Sequence, residues 1–340
     1  VFKADAAAAA KSAPRRAILR VAGLVVLALV ALLLPRVAVA LGDPALISLA
    51  TRMVIYAIAA ASLNLILGYG GLVSFGHAAY FGVGGYAVGI LYYHFSAGEP
   101  FLGFIPGTNQ FLVALAAAVV ASAFFAFVLG ALSLRTAGLQ FIMITLAFAQ
   151  MVFFLFVSLK YYGGDDGLIV RRRDVLFNLN MADDTTYYFV CLAVAVVYYV
   201  VFWRLVGSQF GLVLGGIRQN ERRLAAIGIS TYRYKLVAFV IAGAGAGLAG
   251  ALMANFAKFV SPDMLNWSRS GELMIMVILG GGATLLGPAV GAVLLIGLET
   301  MLTGWTEHWQ FYLGPILILI ALFTREGLLS LLKDGSGGHG

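Results

Sequence analysis

Charge and cysteine are both scarce in this sequence. Only 11% of its 340 residues are charged, while 62% are hydrophobic; an ordinary soluble domain carries about 25% charged residues. Such a composition belongs in a bilayer, and at about 20 residues per crossing it leaves little for a separate extramembrane domain. The single cysteine, Cys191, lies within an apolar run, which excludes a disulfide framework and a multi-thiolate metal site. Four scattered histidines form no metal motif. Also missing are G-x-x-x-x-G-K-[ST], any Gly-Lys pair, H-E-x-x-H and G-x-S-x-G. The chain therefore has no phosphate loop for ATP and no visible catalytic constellation, and it reads as a non-enzyme that binds no cofactor or metal of its own. A net charge of +7 would suggest nucleic acid in a soluble protein. Here the basic residues flank apolar runs, where membrane orientation accounts for them, so nucleic acid is not an expected partner.

What is present is a succession of apolar runs. They fall at about 18–34, 45–67, 71–93, 111–134, 138–160, 186–206 and 234–257, each long enough to cross or nearly so. Two shorter pieces interrupted by glycine follow near 271–280 and 287–302, with a last run near 310–324. The expectation is an all-α polytopic membrane protein of about ten spans in one permease domain, 18–325. Residues 1–17 form a cytoplasmic lead-in and 326–340 a flexible Gly/Ser-rich tail. The basic N-terminus, apolar core and Ala38-Val39-Ala40 imitate a cleavable signal; we read an uncleaved first span.

Lys and Arg set the orientation. The first 20 residues hold five basic residues against Asp5, and residues 204–235 hold six against Glu221. Placing both inside leaves residues 96–110 (Glu99 alone), 160–185 (four basic, five acidic) and 299–309 (Glu299 and Glu307) outside. Both termini are then cytoplasmic. Splitting ten spans at the outer loop 161–185 gives halves of five, about 18–160 and 186–325, which enter the membrane from opposite sides as inverted repeats. Each half carries a Gly-rich apolar segment, Leu67 to Leu91 and Ile278 to Leu295. Helices broken at matching places point to a substrate path, here Gly70, Gly71, Ser74, Gly76 and His77 with Gly280, Gly281 and Gly282; the plainer reading is close helix packing. His77 suits a packed or lumen-facing role better than a proton relay. Glu272 and Glu299 lie near expected span ends, where interfacial placement is the simpler reading.

The cytoplasmic loop 207–233 has a pattern of its own. Ile217, Leu224 and Ile227 fall on one helical face, with Arg218, Asn220, Glu221, Arg222 and Arg223 opposite. Gly228 follows where a helix end favours positive φ. The pattern predicts a short amphipathic helix offered to a partner; an ordinary charged turn is the alternative.

Four stretches now carry a family resemblance: GIRQNERRLAAIGISTYRYKLVAFVIAGAGAGLAGAL, YGGLVSFGHAAYFGVGGYAVG, LRTAGLQFIMITLAFAQMVFF followed by YYGGDDGL, and ILGGGATLLGPAVGAVLLIGLE. Together they cover roughly residues 45 to 325, and they resemble LivM-type permeases of branched-chain amino acid ABC importers. The resemblance implies a multi-pass bacterial inner-membrane subunit. Its implied partners are a second, LivH-like permease, two cytoplasmic ABC ATPases that carry ATP and Mg, and a periplasmic amino-acid-binding protein. It further implies that Gly211, Arg218, Asn220, Glu221, Ala225 and Gly228, with Arg222 beside them, contact the ATPases. Gly163, Gly164, Asp165, Asp166 and Gly167 match an outer-loop motif in which Tyr162 replaces the usual Thr. Related permeases serve urea and short amides. A carrier driven by an ion gradient and an intramembrane enzyme are other readings, and each lacks its expected residues; a channel-like or scaffold subunit is a third, set apart by dependence on ATPase partners.

Overall fold

A computed structural model describes residues 35–36, 42–101, 103, 106–177, 179–306 and 308–323. The expected lead-in 1–17, first span 18–34, tail 326–340 and Glu307 lie outside the described residues. The chain divides into two units, Val1–Ala50 and Thr51–Gly340. In the first, the Asp43 carboxylate accepts a hydrogen bond from the Ala45 amide at 3.0 Å, satisfying one of the free N–H groups with which a helix begins.

Helix α1 starts there and runs Ala45–Asn64. It is followed by α2 (His77–Ala97), α3 (Phe111–Ser133), α4 (Leu139–Ser158), α5 (Asp184–Val206), α6 (Gln209–Ala226), α7 (Thr231–Ala257), α8 (Trp267–Gly280), α9 (Gly287–Thr303) and α10 (Trp309–Phe323). Among the described residues, α1 with its π-helical extension Leu65–Tyr69, α3, α4, α5 and α7 are long and apolar enough to cross a bilayer. The protein is a mostly helical, polytopic membrane protein, and the helices fall within a few residues of the apolar runs. The run expected at 71–93 is the exception, because α2 begins only at His77. The Leu72 amide instead donates to the Ile66 carbonyl at 2.8 Å, folding the chain back onto the end of α1.

Within Thr51–Gly340, α7 packs most extensively against α3 and α2. Lipid rewards no burial of large apolar groups, so small residues go between membrane helices and bulky ones face outward. Helix α3 follows this rule: Ala114, Ala118, Ser122, Ala126 and Gly130 are buried at four-residue intervals, while Val120 and Phe124 are 68% and 62% exposed. The crossing of α2 and α7 is closer still, since a Cβ on Gly250 would overlap the Phe81 carbonyl oxygen.

The expected outer loop is folded rather than loose. Strands β1 (Leu168–Ile169) and β2 (Phe259–Val260) pair antiparallel, Leu168 opposite Val260. Beyond them Arg173, buried, donates to Asp184 Oδ1 (2.6 Å), to the Met181 carbonyl (3.1 Å) and to the Asn255 carbonyl (3.3 Å). Its guanidinium also lies 4.4 Å from the Tyr187 ring centroid, a cation–π contact. Next to it the fully buried Asp174 exchanges two hydrogen bonds with Asn255, at 2.8 and 3.0 Å, and its Oδ1 has no partner among the described residues. Burial pushes the Asp174 carboxyl up to about 6, with the Asn255 hydrogen bond working in the opposite direction.

Two outcomes follow from this packing. The folded Asp174 binds its proton more tightly than an unfolded carboxyl near 3.8, so its contribution is fully present below about pH 4 and is lost as pH rises through about 6. Thermal unfolding in detergent should show stability falling across that window by on the order of 3 kcal/mol, with a flatter profile in Asp174→Asn. Gly250→Ala should lower stability by roughly 1–3 kcal/mol in the same assay. Gly314→Ala should not lower it, because a Cβ there meets nothing within 4 Å and Ala is the better helix former.

Candidate translocation and coupling site

The two Gly-rich segments meet at a single side chain. Asn64, fully buried at the end of α1, accepts from the Ala283 amide at 3.0 Å and donates to the Thr284 carbonyl at 2.9 Å. These are backbone groups of the break between α8 and α9, which bilayer lipid cannot satisfy. The same break is tightened by Thr284 Oγ1, which donates to the Gly281 carbonyl (2.8 Å) and accepts from the Gly287 amide (3.0 Å). Gly281 sits at φ 103 and Ala283 at φ 60, so helical geometry is abandoned here. On the α1 side, the π turn leaves the Gly70 amide bonded to the Leu65 carbonyl, five residues back, at 3.1 Å.

Helix α6 reaches this junction. The Arg218 guanidinium donates to the Gly68 carbonyl in the π turn, and its aliphatic stem covers Gly71. Backbone oxygens freed by the irregular turn thus receive a charged donor, the stronger kind of hydrogen bond. The expected single amphipathic helix is corrected in one respect: at Asn220 (φ −161, ψ 96) the chain leaves helical geometry. The Asn220 side chain then accepts from the Arg223 amide at 3.0 Å, as a capping residue does when a new helix starts. The break separates two different surfaces. Before it, Gly211, Leu214 and Ile217 are buried; after it, Arg222, Arg223, Ala225 and Gly228 are exposed, and Ile227, expected on the buried face, is 69% exposed. Gly228 takes φ 86, as its place after the helix requires.

Glu221 fixes the second surface to α7. Its carboxylate pairs with Lys235 Nζ at 2.6 Å and accepts from Thr231 Oγ1 at 2.9 Å. Partial burial raises the Glu221 carboxyl, but the bonds to Lys235 and Thr231 outweigh it and hold the group below its ordinary range.

The expected path glycines gather at this junction, while Ser74, Gly76 and His77 bond elsewhere. Gly70, Gly280 and Gly281 are buried beside it, with Gly71 and Gly282 exposed at its edge. Ser74 accepts from the Gly76 amide at 3.2 Å. His77 is fully buried and lies 2.8 Å from Ser62 Oγ, which itself donates to the Ala59 carbonyl. His77 Nε2 therefore carries the proton and donates, leaving Nδ1 buried without a partner among the described residues. At the opposite end, Gly163, Gly164 and Gly167 all have positive φ, and Asp165 and Asp166 are exposed. Tyr162, in the place of the usual Thr, bonds His94 Nε2 at 2.9 Å.

Asn64 is the residue that sequence reasoning missed. A lone amide inside the apolar run 45–67 was its signal, since an unpartnered polar group in a membrane segment is costly.

No solved structure matches this chain. It is similar to the high-affinity branched-chain amino acid transport system permease protein LivM of Salmonella typhimurium, with 27% identity over 311 residues, 84% of this chain and 70% of that one. It is likewise similar to the probable branched-chain amino acid transport permease protein LivM of Methanocaldococcus jannaschii, with 27% identity over 316 residues, 83% and 90% of the two chains. A shorter likeness, 25% identity over 124 residues, 36% of this chain and 40% of its relative, joins it to the high-affinity permease protein LivH of Salmonella typhimurium. Residues 45–322, from the start of α1 to the last turn of α10, match the family described as the branched-chain amino acid transport system permease component, and the chain belongs to that family.

Proposed function

We propose that the chain is the translocating subunit of an ATP-driven importer for branched-chain or other hydrophobic amino acids in the bacterial inner membrane. In this reading it pairs with a second, LivH-like permease. Two ATPase subunits, which bind ATP and Mg, grip the exposed surface after Asn220, and an external binding protein delivers the solute. Nucleotide-driven closure of the ATPases moves α6, and two inverted five-span halves alternate the side to which the path opens.

The observation that carries this reading is the connection from α6 to both broken helices: Arg218 bonds Gly68 in the π turn, and Asn64, one turn earlier, bonds Ala283 and Thr284. Pulling on α6 pulls on a junction between segments more than 200 residues apart. The relatives' names support branched-chain amino acids over urea or short amides as cargo. One observation favours an ion-coupled carrier instead, the cluster of ionisable residues around Arg269. ATP dependence separates the two.

In proteoliposomes holding the complete complex and internal ATP, leucine uptake should require both ATP and the ATPase subunits. Arg218→Glu and Glu221→Ala should each lower it at least about tenfold, a loss of roughly 1.4 kcal/mol of coupling. Asn64→Leu should uncouple ATP hydrolysis from uptake while the ATPases stay bound. Uptake by this chain without ATPases, driven by an ion gradient alone, would sink the proposal.

A further inference from the structure

A cavity of about 480 Å³ at the C-terminal end of α2 takes no part in the junction described above. It is lined by Tyr92, Phe95, Ser96, Arg171 and Arg172. Backbone hydrogen bonds fix its level. The Val170 amide donates at 2.9 Å to the carbonyl of Lys258, the residue that follows α7. The Val175 amide donates to the Asn109 carbonyl at 2.7 Å, and the Val175 carbonyl accepts at 2.9 Å from Phe111, the first residue of α3. Between these ties Arg173 holds Asp184, the first residue of α5. Helices α3, α5 and α7 are all long and apolar enough to cross a bilayer, so Arg171 and Arg172 are held where three spans end, at the level of the lipid headgroups. The facing wall comes from one side of the end of α2, with Tyr92, Phe95 and Ser96 at i, i+3 and i+4. Aromatic side chains are favoured at that level, where an apolar ring meets polar surroundings.

Both arginines are exposed, and neither forms an ion pair among the described residues. Arg173, next in the chain, is buried and paired, so the fold uses one guanidinium of the three and leaves two outside it. Lys258, exposed beside the Val170 tie, adds a third positive charge. No carboxylate is among the residues that line the cavity. Membrane orientation gives Arg171 and Arg172 no role, because the loop 160–185 reads as an outer one and Lys and Arg are enriched on the inner side.

A guanidinium presents paired N–H groups that match the oxygens of a phosphate. Two in succession, on a backbone fastened at both ends, lose little freedom on binding one. The Tyr92 and Phe95 wall suits the glycerol and acyl portions that a lipid brings with its phosphate, and offers nothing to a hydrated ion. A headgroup ammonium would find no carboxylate here, so a lipid of net negative charge fits better than a zwitterionic one.

We propose that Arg171 and Arg172, against Tyr92, Phe95 and Ser96, bind the phosphate of an anionic phospholipid headgroup such as that of phosphatidylglycerol.

The full chain, purified from nanodiscs of equimolar phosphatidylglycerol and phosphatidylcholine with identical acyl chains, is to be analysed by native mass spectrometry for the lipid it retains. Phosphatidylglycerol should be kept over phosphatidylcholine about tenfold, the scale of one charge-assisted hydrogen bond. Arg171→Gln combined with Arg172→Gln should bring the two lipids to parity, with the thermal midpoint in phosphatidylcholine alone unchanged. Arg135→Gln, at an exposed arginine beyond the other end of α3, should keep the preference. Phosphatidylglycerol should also raise the thermal midpoint of the unaltered chain in detergent, and millimolar glycerol 3-phosphate or inorganic phosphate should not. Retention without preference, a preference that survives the double substitution, or one lost equally in Arg135→Gln would overturn the site. Equal protection by glycerol 3-phosphate or inorganic phosphate would overturn the assignment to lipid.

Discussion

A helix interrupted inside a bilayer leaves N–H and C=O groups that the hydrocarbon cannot satisfy. The architecture of this protein answers that constraint. The break between α8 and α9 is met by the Asn64 amide, which supplies a donor and an acceptor to adjacent backbone positions. The widened end of α1 is met by Arg218. Because each interruption is satisfied by a residue from a distant part of the chain, the polar repairs also tie distant segments together; in the mechanism proposed above they serve as its joints.

The helical spans were legible because bilayer thickness imposes a length on apolar runs and lipid does not care which apolar residue fills them. Positive φ at Gly228 was legible for a similar reason, since it follows from a local conformational rule. The break at Asn220 was not. Its side chain accepts from an amide three residues on, and the same residue in an unbroken helix would have fitted the amphipathic pattern equally well. Asn64 signalled a buried polar contact without naming its partner, because Ala283 lies 219 positions away and no local pattern spans that distance. The Arg173–Asp174–Asn255 assembly was hidden in the same way: by charge count the outer loop read as a balanced polar stretch, while its burial is a tertiary fact.

Glu272 and Glu299 were legible as carboxylates near the ends of apolar runs, but their partners were not. Helix α8 begins after a turn seated against the glycines of α2, and the two carboxylates, partly exposed, pair with Arg269 and Arg52. Arg52 lies 247 positions from Glu299, a pairing that no local pattern announces.

The π-helical turn at Leu65–Tyr69 accommodates one residue more than an α-helix would over the same rise. It is the last turn of this helix, because beyond Tyr69 the chain leaves helical geometry and the Leu72 amide turns back to the Ile66 carbonyl. The widened ring therefore changes where the chain exits: it presents the Gly68 carbonyl sideways to Arg218 instead of to an amide of a following turn.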